Sequence, residues 1–150
     1  MSMGYGANFA ETISEENLIK VVGDAKSVKG FIKDFNGYKF SEAEVYNDYD
    51  ELAQTISGEM EYDIDKDRRC YKALKAKWDK IAKKFKEVTG IELYINYHSA
   101  DDDGDCYDDI DGLYFNCSGR DLYQPTKKYK ELKKKFGEDI IERQFFVTFG

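Results

Sequence analysis

The chain has 150 residues, 41% of them hydrophobic and including 12 Tyr and 10 Phe, a content that excludes wholesale disorder. With 35% charged residues and a single proline, it reads as a soluble, helix-rich domain, large enough to bury about 70% of its unfolded surface without metal or disulfide. A net charge of −7 argues against general nucleic-acid binding, which needs Lys and Arg to displace condensed counterions, and no run is apolar enough to span a membrane.

In chain order, the aromatic stretch Tyr5–Ala10 is a candidate edge strand. Ser14 is a candidate N-cap for a short helix over 15–22, and the apolar spacing of SVKGFIKDF predicts a second helix ending at the turn signal Asn36-Gly37. Ser41 with Glu44 makes a capping box, after which Tyr46, Tyr49, Leu52, Ala53 and Ile56 recur at helical spacing up to Gly58. The outer face of that helix is expected to carry Glu42, Glu44, Asp48, Asp50 and Glu51. The longest helix is predicted from about Lys66 to Val88, where Tyr71, Leu74, Trp78, Ile81, Ala82, Phe85 and Val88 form one apolar stripe and Gly90 ends it. Trp78 and Phe85 lie in the stripe that a core requires, which favours a solvated helix packed on a sheet over a membrane-surface or nucleic-acid element.

After Gly90 the period changes to two. Ile91, Leu93, Ile95 and Tyr97 alternate with polar residues, as do Leu113, Phe115 and Cys117, and then Ile141, Phe145, Val147 and Phe149. Keeping both apolar sets on one face sets Tyr97 opposite Leu113, Ile95 opposite Phe115 and Leu93 opposite Cys117. Between the second and third strands, Pro125-Thr126 opens a short basic helix with Tyr129, Leu132 and Phe136 inward and Gly137 after it. This order predicts one α+β domain, residues 1–150, with the N-terminal helices packed on a small, about three-stranded antiparallel sheet, and one late helix. The buried set is expected to include Leu74, Trp78, Ile81, Phe85, Leu93, Ile95, Phe115, Phe145 and Val147.

Charge is blocked along the chain: −9 over residues 1–65, +7 over 66–90, −8 over 91–125 and +3 over 126–150. Acidic and basic helices packed side by side would neutralise one another and account for the helical blocks. That does not explain the run from 101 to 111, where seven of eleven residues are aspartate.

Clustered carboxylates around a glycine suit a hard cation with oxygen ligands. Aligning Gly104 with the turn glycine of an EF-hand puts Asp101 and Asp103 on ligand positions. The first position is then Ser99 and the twelfth Ile110, so the pattern fails at both ends, and strands flank the loop rather than helices. A non-standard calcium or magnesium site would use Asp101, Asp103, Asp105 and Asp108, and an Asp-based, metal-dependent hydrolase is a further alternative. Zinc would draw on His98, Cys106, Cys117 and Cys70. In the expected hairpin, however, His98 lies on the face opposite Cys117 and more than about 15 Å along the strand. Cys70 and Cys117 read as small core residues, and the odd number of cysteines suits reduced thiols. The aspartates around Cys106 oppose its ionisation and a nucleophilic role.

No catalytic residue is assigned. His98 is the only histidine, and neither a triad nor a phosphate-cradling glycine loop is present. His98 reads as a strand-end residue bonded to a neighbouring carboxylate. Two readings of the aspartate run remain: a solvated hairpin loop, or a partner-binding surface. In the second, Asp101, Asp102, Asp103, Asp105, Asp108, Asp109 and Asp111, with Tyr107 as anchor, meet a basic groove on another protein. The N-terminal MSMGYGANFAETIS has neither a basic leader nor an apolar run, so a cytosolic location is expected.

Three stretches, MGYGANFAETI at 3–13, DDGDCYDDIDG at 102–112 and FFVTFG at 145–150, resemble parts of small proteins encoded by bacteriophages and prophages. The resemblance covers both ends and the hairpin, not the helices between, and it carries no activity over to any residue. It implies a bacterial cytosol and a phage accessory gene. Small acidic phage proteins include inhibitors of host defences, among them anti-CRISPR proteins that occupy the DNA-binding grooves of their targets. By that analogy the resemblance implies a non-enzymatic inhibitor of a basic host protein.

Overall fold

The computed structural model describes residues 5–38, 48–58, 69–98, 109–118 and 126–149. Their elements run β1 (Tyr5–Ile13), α1 (Glu15–Val22), α2 (Ala25–Asn36), α3 (Asp48–Ser57), α4 (Arg69–Thr89), β2 (Tyr94–His98), β3 (Gly112–Asn116), α5 (Thr126–Phe136) and β4 (Glu142–Phe149). The α+β class is as expected. The start signals act locally: the Ser14 hydroxyl accepts the Asn17 N–H at 3.1 Å and the Asp24 carboxylate accepts the Ser27 N–H at 3.0 Å, each satisfying an otherwise unpaired amide in a first helical turn. Gly90 and Gly137 close α4 and α5 with φ of 72° and 112°, a region open to glycine without strain. The capping box Ser41–Glu44 lies outside the described residues.

The sheet corrects the expected strand count. Four strands pair in the order β2-β3-β1-β4, all antiparallel among the described residues, and β1 is interior rather than an edge. Its partner β4 lies at the far end of the chain, Tyr5 opposite Phe149 and Thr12 opposite Glu142, a pairing that local periodicity cannot reveal. The hairpin register is as expected, with Ile95 opposite Phe115 and Tyr97 opposite Leu113.

β1 pairs with β3 at Thr12–Asn116 and Ile13–Phe115, continued by the Cys117 N–H donating to the Glu11 carbonyl at 2.8 Å, whereas it pairs with β4 along eight residues, so the β1–β4 ribbon continues beyond the hairpin and curls. The Phe146 ring of β4 lies 5.4 Å from the His98 ring of β2, although strands three apart in a flat sheet are separated by about 14 Å.

On the other face, α4 lays its stripe across the hairpin. Trp78 is 2% exposed and stacks on Phe115 at 6.0 Å with the rings 9° from parallel, and Phe31 of α2 meets Trp78 at 5.3 Å. One contiguous core joins these to Leu18, Phe35, Leu52, Ile56, Leu74, Phe85, Ile91, Ile95, Leu132 and Ile140. Of the expected buried set only Phe145 differs. It is half-buried, because its side of the ribbon also carries Phe9, 51% exposed and 5.6 Å from its ring.

Charge blocks pair in part as expected: Lys77 of α4 with Asp34 of α2, Lys80 with Asp24 at 3.8 Å, and Lys86 with Glu92. Lys128 of α5 donates to the Gly90 carbonyl at 2.7 Å, placing a cation at the negative end of α4.

Candidate functional site

The aspartate run connects β2 to β3, and its two roots are fixed by the sheet. His98 pairs with Gly112 at the loop end of the hairpin, and Gly112 takes a φ of 94° as the chain enters β3. Asp101, Asp102, Asp103, Asp105, Tyr107 and Asp108 lie outside the described residues, as does Cys106. Of the expected partner-binding set, Asp109 and Asp111 are placed, both exposed.

Asp109 is anchored. Its N–H donates to the Phe145 carbonyl at 2.9 Å and its carboxylate accepts the Phe145 N–H at 3.0 Å, so the returning arm of the connection is bonded to β4 across the curl of the sheet. Ile110 beside it is buried and Asp111 follows at the surface. Both described roots of the acidic connection are thus held, at His98 and at Asp109, and aromatic rings surround them. Tyr49 of α3 stacks on Tyr97 at 5.3 Å, and Phe146 lies between His98 and Tyr114, 6.3 Å from the latter.

A feature that sequence reasoning missed lies beside these rings. Asp50 was expected on a solvated helix face, but it is half-buried, because α3 packs along β2. Burial raises its carboxyl above the ordinary carboxylate range. The Gln54 side-chain amide, donating at 2.9 Å, and the nearby His98 charge pull it in the other direction. Helical spacing alone put Asp50 outside. α3 is fastened to the edge of β2 by Ser57, whose hydroxyl accepts the Ile95 N–H at 2.6 Å and donates to the Ile95 carbonyl at 3.0 Å.

Among the described residues, no group of three His, Cys, Asp or Glu side chains is placed to hold a metal ion, and Asp101, Asp103, Asp105 and Asp108 lie outside them. Of the zinc candidates, Cys117 is buried in the core, where desolvation pushes its thiol up to about 12, and its carbonyl accepts the Tyr129 hydroxyl at 2.9 Å. Cys70 corrects the expectation of a core position: it is exposed, since it precedes Tyr71 and lies off the buried Tyr71–Leu74–Trp78 line of α4. No helix among the described residues is long and apolar enough to cross a membrane.

Comparison with protein-family models, with curated proteins and with solved structures gave no match to this chain.

Proposed function

We propose that this chain is a non-enzymatic phage accessory protein that binds, and thereby inhibits, a basic nucleic-acid-binding protein of the bacterial host, such as a defence nuclease. The observation that carries this reading is the anchoring of the acidic connection. A loop that only had to be soluble needs no reciprocal bond to a distant strand, whereas a charged surface that meets a partner gains from roots held in place before contact. Its dense negative charge would steer a cationic groove toward it, and the aromatic side chains at its base supply the apolar area that charge alone does not. The phage-protein resemblance of the three stretches supports the cellular setting, the bacterial cytosol.

A pull-down from bacterial lysate at low and moderate salt tests the proposal, comparing wild type with a variant in which Asp101, Asp103, Asp105 and Asp108 are replaced by Asn. Asp109 is left intact because it holds β4. The expected result is a partner captured by wild type, lost first at higher salt, and captured at least tenfold less by the variant. Equal capture by both proteins would overturn the role of the loop. A melting-temperature rise of several degrees in sub-millimolar calcium, abolished by Asp103→Asn with Asp105→Asn, would replace the reading with a metal site.

A further inference from the structure

Next to β3, beyond the point where β1 ends, the structure leaves a cleft of about 380 Å³, within the usual size range of small-ligand pockets. Its origin is topological. The register that pairs Ile13 with Phe115 would bring Glu15 opposite Leu113, but at Ser14 the chain turns into α1 and, among the described residues, no strand continues there. Both backbone groups of Ile95 are bonded to Ser57, outside the hairpin, so Ile95 and Phe115 exchange no ladder bonds. By the antiparallel alternation the same holds two residues along, for Tyr97 and Leu113. The Leu113 N–H and carbonyl therefore lie in the sheet plane on the side where β1 is missing, and Leu113 lines the cleft.

The remaining walls select a sign of charge. Glu15 and Glu142 line the cleft from α1 and β4, and Asn36 lines it from the last turn of α2, whose C-terminal end carries the negative end of the helix dipole. Among the described residues neither carboxylate has an ion pair or hydrogen bond, and none of the described lining side chains is basic. The positive end of α1, which also opens here, is answered by the Ser14 cap and by Glu15 and Glu16 in its first turn. Tyr114 also lines the cleft.

We infer that this cleft is a socket for a guanidinium group, the arginine side chain of a basic partner. Two carboxylates, an amide and a strand carbonyl lining one cleft match the several in-plane donors of a guanidinium better than the single point charge of an ammonium, and the cleft has room for the whole arginine side chain. The partner's identity as a basic protein rests on the function proposed above. The cation specificity of the cleft does not.

The probe is Nα-acetyl-arginine amide, titrated into the ¹⁵N-labelled protein, with the citrulline analogue, equal in shape and uncharged, as control. The expected result is saturable shifts of the Leu113, Tyr114 and Glu142 amides with a millimolar dissociation constant, and binding at least tenfold weaker for citrulline. Glu15→Gln with Glu142→Gln should weaken the arginine probe at least tenfold while the protein stays folded, its melting temperature falling only by the small contribution of the Glu15 charge to the first turn of α1. Equal binding of the two probes to wild type, or no saturable shift at these amides, overturns the inference without reliance on any variant. Failure of the aspartate-loop pull-down leaves this titration unaffected, so the two readings fall separately.

Discussion

Asp109 and Phe145 exchange two hydrogen bonds, the backbone N–H of Asp109 to the Phe145 carbonyl and the Phe145 N–H to the Asp109 carboxylate, so one aspartate acts as a one-residue neighbour strand for the outer edge of β4. Ser57 does the same for the other edge of the sheet by bonding both backbone groups of Ile95. Unpaired edges invite association with other chains, and two side chains here occupy them.

Replacing Asp109 by Ala removes the acceptor of the Phe145 N–H and should cost about 1 kcal/mol, whereas Asn, which still offers an oxygen, should cost less than half of that. Hydrogen exchange of the Phe145 amide reports directly, and unchanged protection in Asp109→Ala would show that the bond does not hold the edge in solution.

Asp50 gives a pH dependence whose sign follows from its burial. Its carboxyl is raised, so folding favours the protonated form; that contribution is complete below the ordinary carboxylate value of about 4 and is lost as pH rises through the elevated folded value. Asn mimics the protonated state at every pH. The melting temperature of Asp50→Asn relative to wild type should therefore climb between pH 4 and pH 7. A constant or falling difference would mean that the Gln54 hydrogen bond and the neighbouring His98 together outweigh desolvation.

Thiol reactivity separates two of the three cysteines. Cys70 is exposed and should be alkylated by iodoacetamide in the native protein, while Cys117, buried and with its thiol pushed up to about 12, should react only on unfolding. Peptide mapping after brief labelling with and without denaturant distinguishes them, and rapid native labelling of Cys117 would contradict its place in the core.

Thr55 is 5% exposed, and its hydroxyl has no hydrogen-bond partner among the described residues. Valine has nearly the same shape and a similar helix propensity, so Thr55→Val should be neutral or stabilise by up to about 1 kcal/mol by removing a desolvated polar group. Denaturant unfolding measures it, and a clear loss of stability would reveal a partner for the hydroxyl.

For the candidate site, the sequence displayed the charge but not its support. The aspartates from 101 to 111 stand out in any reading, yet nothing local marks Asp109 as different from Asp111, because the distinction is a bond to a strand 36 residues away. Asp50 looked solvated for the same reason: helical spacing tells which residues share a face, not whether a strand edge covers it. The cleft beside Leu113 was invisible, since it exists where one strand stops and its neighbours continue.

The periodicity of the sequence by itself determined the helices, the stripe of α4 that buries Leu74, Trp78 and Phe85, and the hairpin register, because a one-residue slip would turn Ile95 and Phe115 outward. Only the tertiary structure decided that Tyr5–Ile13 lies inside the sheet, that Cys70 is exposed, and that β4 curls back toward His98. Those outcomes depend on which segments pair across the chain. The Thr12 hydroxyl, for example, donates to the Glu142 carbonyl at a separation of 130 residues, and no local pattern in a stretch as mixed as YGANFAETI encodes such a contact. Local patterns fix which side of a segment faces inward, whereas the choice of its neighbours is settled by the packing of the whole core.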